Sequence, residues 1–117
     1  MAGIKPEKRL HQRRCLQVPV LFQKRGRSHW GMSEDIGRGG LFLTTYCPPD
    51  PGEDLKIHLA DPRAGAPMVL RGKVVHRREG TKAGLLQEKI QRPAGVGIAF
   101  EDVSPIQEER LRALLSE

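Results

Sequence analysis

The run Asp35-Ile36-Gly37-Arg38-Gly39-Gly40-Leu41-Phe42-Leu43-Thr44-Thr45-Tyr46 decides how this chain is read. Its second half is dense in strand formers, and the glycines at 37, 39 and 40 mark a turn. Residues 28–36 lead into it as a second extended segment. A strand pair is therefore expected, 28–36 against 40–46, joined at Gly37–Gly40.

Working outward, Cys15-Leu16-Gln17-Val18-Pro19-Val20-Leu21-Phe22 is a short apolar run that ends in Lys24-Arg25-Gly26-Arg27, a strand entering a turn. Proline cannot donate to a ladder, so this strand should lie at an edge or turn position 19 away from its neighbour. Downstream, Cys47–Gly52 breaks the pattern, Asp54–Leu59 alternates again, and Asp61–Gly65 turns into a fifth candidate strand at Met68–His76. A polar connection from Arg77 to Pro93 precedes the sixth, Gly95–Phe100. Such even spacing predicts a mainly β fold, a closed or nearly closed six-stranded antiparallel β-barrel.

One helix is expected at about 104–116. Ser104 suits the N-cap, Pro105 the first helical position, and Gln107 completes a capping box. Glu108 and Glu109 suit the positive end of the helix. Ile106, Leu111, Leu114 and Leu115 form an apolar stripe on a helix too short to stand alone, so it should pack on the barrel.

The 117 residues and 13.1 kDa correspond to one domain with a single small core, which excludes large two-lobed enzymes. A net charge of +6 and pI near 9.8 favour polyanions without choosing one. The opening Met1–Lys8 lacks the apolar core of a signal peptide, and no run approaches the roughly 18 apolar residues of a spanning helix. A cytoplasmic protein without membrane insertion is expected. Cys15 and Cys47 lack C-x-x-C spacing and read as two small, partly buried residues. His11, His29, His58 and His76 are scattered singly, which points away from a metal. Trp30 reads as a barrel aromatic, with base stacking as the other reading.

Arg9 and Arg13, four apart, lie on one side of a helical or extended segment, so both guanidinium forks can close on one anion or stack on a purine. Asp35 supplies the complement, because a carboxylate accepts two donors side by side, as a guanine N1–H and N2–H2 edge presents them. The glycines at 37 and 40 let backbone N–H groups approach a ligand. Arg14 and Arg38 are candidate auxiliary phosphate contacts. Together these residues describe a site for a guanine-bearing phosphodiester.

The chain resembles the PilZ domain family of small bacterial β-barrels. The matching stretches are Lys8-Arg9-Leu10-His11-Gln12-Arg13, Val18-Pro19-Val20, Asp35 to Leu43, Leu70-Arg71-Gly72-Lys73-Val74-Val75 and Gly95 to Ser104. That resemblance implies a receptor for cyclic di-GMP with no cofactor, using an Arg-x-x-x-Arg arm (Arg9, Arg13) and an Asp/Asn-x-Ser-x-x-Gly turn. Asp35 and Gly40 match the turn, but Gly37 stands where the family usually has serine. It further implies a flexible basic arm, residues 1–14, on a barrel spanning 15–117, with the ligand ordering the arm so that a downstream protein partner, as yet unidentified, reads the change.

The alternatives are a degenerate PilZ domain that binds no nucleotide and serves as a protein interaction module, and a single-stranded nucleic-acid binder. The second is disfavoured because such surfaces combine basic residues with several stacking aromatics, and this chain has five aromatics in all. No Ser-His-Asp order, phosphate-loop motif or metal cluster suggests an enzyme.

Overall fold

The computed structural model describes residues 13–63, 65–80 and 93–116, with Arg13 by its backbone alone. Seven strands and one helix follow in chain order: β1 (Arg13–Arg14), β2 (Pro19–Lys24), β3 (Arg27–Gly37), β4 (Gly40–Thr45), β5 (Asp54–Leu59), β6 (Met68–Arg78), β7 (Gly95–Glu101) and α1 (Pro105–Leu115). Strands β3, β2, β5, β6, β7 and β4 form an antiparallel ring that closes through the β3–β4 pairing. This is the six-stranded closed barrel with a C-terminal helix that the spacing predicts. β1 is an added two-residue strand on the far end of β3.

Alternation builds the interior. Val20 and Phe22 of β2, Leu55, Ile57 and Leu59 of β5, Met68, Leu70 and Val74 of β6, and Val96 and Ile98 of β7 all point inward, joined by Ile36, Leu41 and Leu43 from the central hairpin. The β2–β3 hairpin turns on Arg25 and Gly26, both with positive φ (53° and 77°), the geometry of a two-residue turn whose twist matches the flanking strands.

Helix α1 begins as the capping box requires: Ser104 Oγ accepts from the Gln107 amide at 3.1 Å, and Gln107 Oε1 accepts from the Ser104 amide at 2.8 Å. Leu111 and Leu114 enter the core, and Leu115 packs half-buried against it. Ile106 departs from the expected stripe. It is 75% exposed, because the first turn overhangs the barrel and only the later turns reach the core. Gln107 Nε2 also donates to the Val69 carbonyl at 2.7 Å, fastening the helix start to β6.

Other expectations need correction. The first long strand begins at Pro19 rather than Cys15, since residues 16–18 are held by a side chain instead of a ladder: Ser33, fully buried, donates its hydroxyl to the Leu16 carbonyl at 2.5 Å and accepts from the Val18 amide at 2.9 Å. β2 is not an edge strand, because it pairs with both β3 and β5; Pro19 is tolerated as the strand's first residue. Cys15 and Cys47 are both exposed rather than partly buried, lying just outside β1 and β4. Trp30 is 66% exposed on the outer wall, since β3 sends its neighbours inward instead. Among the described residues no helix is long and apolar enough to cross a membrane.

Candidate functional site

The site is assembled on the last third of β3. Extended backbone sends alternate side chains to opposite faces, so with Ile36 fully buried in the barrel, Asp35 and Gly37 lie on the outer face. β1 lies along the same edge, with Arg13 opposite Gly37 and Arg14 opposite Ile36. Directly paired Cα atoms in an antiparallel ladder are about 4.5–5.5 Å apart. The second arginine of the arm is thereby anchored beside the glycine of the turn motif. Arg9 lies outside the described residues, as do residues 1–12 of the expected arm, whereas positions 13 and 14 belong to a strand.

Gly40 has a packing reason of its own. A Cβ there would lie 2.1 Å from the Ile98 carbonyl oxygen of β7, so the close approach that demands glycine is to the neighbouring strand. Gly37 is not among the glycines of positive φ, which are Gly26, Gly52 and Gly65 among the described residues. Its backbone is open to a side chain on conformational grounds.

The two auxiliary arginines are both tied to α1. Arg38 Nη2 meets Glu108 Oε2 at 3.0 Å, while Arg38 Nε is buried without an acceptor among the described residues. Arg14 Nη1 donates to the Leu115 carbonyl at 2.6 Å. Arg63 joins it on the same helix end, donating to the carbonyls of Ala113 and Ser116. Cations at the carbonyl end complement the helix dipole, so Arg14 already has a structural task.

Beside Asp35 the structure reveals groups that the sequence motifs do not single out. A bulge between Ser33 and Asp35 shifts the register so that Asp35 pairs with Phe42; Phe42 pairs with Gly97, and Gly97 with His76. One row thus crosses four strands. Its floor is low because a Cβ on Gly97 would strike the His76 ring at 2.2 Å, which leaves that ring lying over the glycine. The Phe42 and His76 ring centroids are 5.7 Å apart, and the Arg78 guanidinium lies 4.5 Å over Phe42. Arg78 is itself held by both Glu34 oxygens, at 2.6 and 3.4 Å. Only strand register brings these residues together, so no local motif could have found them. Among the described residues no group of His, Cys, Asp and Glu is placed to hold a metal ion.

A closed six-stranded barrel whose glycine hairpin carries an outward carboxylate, flanked by an arginine strand, defines a narrow class of β-barrel domain. The chain belongs to the PilZ domain family, whose model matches residues 7–117. Solved structures agree at the level of fold. The PilZ domain with c-di-GMP of YcgR from Escherichia coli is 13% identical, with a TM-score of 0.76 over 93% of this chain and 89% of that one. The K. pneumonia MrkH–c-di-GMP complex is 15% identical with a TM-score of 0.69, over 94% of this chain and 52% of that one. MotI/DgrA, the Bacillus subtilis inhibitor of motility, is 15% identical with a TM-score of 0.66, over 94% of this chain and 51% of that one. A search of curated proteins finds no match.

Proposed function

We propose that this chain is a cyclic di-GMP receptor without catalytic activity of its own, which signals to a downstream protein. The observation that carries the reading is the pairing of Arg13 with Gly37, which puts the arm's arginine strand against the strand bearing Asp35. In this reading Arg9 and Arg13 close on the phosphates and stack on guanine, and Asp35 accepts the guanine N1–H and N2–H2 edge. Gly37 and Gly40 keep the turn low. Arg38 is the auxiliary phosphate contact in this reading, its Nε lacking an acceptor among the described residues, whereas Arg14 falls on the opposite face of β1 from Arg13 and donates to the Leu115 carbonyl. Two of the structures most similar in fold hold the same nucleotide, which supports the ligand class. Ligand can bias the arm only by the difference in its affinity for docked and undocked states.

The departure at position 37 supplies the test. A neutral hydrogen bond contributes about 0.5–1.5 kcal/mol net, so Gly37→Ser should tighten cyclic di-GMP by roughly two- to tenfold. Asp35→Ala should weaken binding, and the double variant should behave as Asp35→Ala alone if both contacts serve one ligand edge. Affinities measured by calorimetry decide it. Binding indifferent to Asp35→Ala would contradict this placement of the guanine.

A further inference from the structure

A second surface lies on the other half of the outer wall, where β3, β2, β5 and β6 run side by side. Trp30 pairs with Leu21, Leu21 with His58, and His58 with Val69, so four outward side chains form one row across four strands. The row is largely apolar. Trp30 is 66% and Val69 36% exposed, and Met32, two residues along β3 on the same face, is 42% exposed. Trp30 and Met32 are large hydrophobic groups left in water on a rigid sheet, a setting in which tryptophan commonly anchors a partner.

The adjacent row is Ser28, Gln23, Lys56, Arg71 and Glu101, again in direct register. Lys56 stands opposite Arg71, a like-charge pair that destabilises a sheet. Neither has an ion-pair partner among the described residues, nor do Lys24 and Arg27 at the nearby hairpin. The carboxylates around them are fewer: Lys73 engages Asp54 at 3.8 Å, Arg25 lies 3.9 Å from Glu53, and Glu101 ends the row. A shallow depression of about 690 Å³ runs between these strands and the start of α1, with Lys56 and Arg71, and also Asp54 and Glu101, in its walls beside Val69 and Gln107.

We infer that this face docks a protein segment that combines carboxylates with aromatic or aliphatic side chains. The apolar row offers buried area, and Lys24, Arg27, Lys56 and Arg71, none of them in an ion pair among the described residues, would gain closer counter-charges than Asp54 and Glu101 supply. A second copy of the chain is a poor occupant, because a two-fold pairing would bring the same basic row into the interface twice. Single-stranded nucleic acid fits less well, since Trp30 and Tyr46 are the two large aromatics exposed among the described residues and such surfaces use several. The face shares β3 with Asp35, five residues from Trp30, or roughly 17 Å at about 3.3 Å per residue. The inference does not depend on the nucleotide.

The test is selection of a random-peptide phage library against the folded chain without nucleotide, followed by titration of the selected peptides. Enriched sequences should pair acidic with apolar residues. Their affinity should fall at least about tenfold with Trp30→Ala and with Lys56→Glu, survive Trp30→Phe, and weaken as salt rises. Melting curves check folding; if Trp30→Ala does not fold, Lys56→Glu and Arg71→Glu, both at exposed positions, carry the comparison. No enrichment, enrichment without carboxylates, or binding indifferent to these substitutions overturns the inference. So does oligonucleotide or anionic-vesicle binding that depends on the same residues while peptides fail. Failure here leaves the receptor reading intact, because that reading is tested only by titration with cyclic di-GMP.

Discussion

Ser33→Ala should be the most damaging single-atom change in the barrel. Ser33 is fully buried, and its hydroxyl is the link that holds residues 16–18 between β1 and β2. Removing it leaves the Val18 amide without that acceptor, which costs about 1–3 kcal/mol for a buried donor, and it deletes the bond to the Leu16 carbonyl, about 0.5–1.5 kcal/mol more. The backbone bond from the Ser33 amide to the Val18 carbonyl, 3.0 Å, remains. A loss of roughly 2–4 kcal/mol follows, a large share of the about 5–15 kcal/mol typical of a domain. Urea unfolding followed by circular dichroism is the assay. With a slope of about 2 kcal/mol per molar, the midpoint should fall by about 1–2 M. A loss below about 0.5 kcal/mol would refute the argument that this hydroxyl replaces a ladder between β1 and β2.

Gly40→Ala should lower the melting temperature and cost about 1–3 kcal/mol, because the new Cβ would sit 2.1 Å from the Ile98 carbonyl and β4 cannot retreat without breaking its pairing with β7; an unchanged melting curve contradicts this. Glu108→Gln should release Arg38 from a pair whose side chains are 35% and 40% exposed and so is worth at most about 1 kcal/mol. If Arg38 then turns to a ligand phosphate, calorimetry should show cyclic di-GMP affinity rising by up to about fivefold, and a fall would count against an auxiliary role for Arg38.

Much of the fold is legible in the chain because alternation and turn chemistry act locally. The hairpin around Gly37–Gly40, the capping box at Ser104 and the six long strands follow from residues within a few positions of one another. The start of β2 does not, since it depends on Ser33, fifteen positions beyond Val18. Ile106 and Trp30 misled for a related reason: their apolar character is real, but the geometry of the barrel leaves them outside it. For the site, Arg9, Arg13 and Asp35 stand in short motifs, and the register of β1 on β3 sets Arg13 beside the turn motif that carries Asp35. The Phe42–His76–Arg78 group rests on two bulges and three strand pairings, a long-range arrangement with no local signature.

The most direct test is a calorimetric titration of the intact chain with cyclic di-GMP, repeated with Arg9→Ala and Arg13→Ala. The account predicts saturable binding to the wild type and an affinity lower by at least about tenfold in each variant, as loss of a charge-assisted contact worth about 1.5–3 kcal/mol requires. Absence of heat and of competition at high nucleotide concentration, for wild type and Gly37→Ser alike, would contradict it and leave a PilZ barrel that works as an interaction module alone.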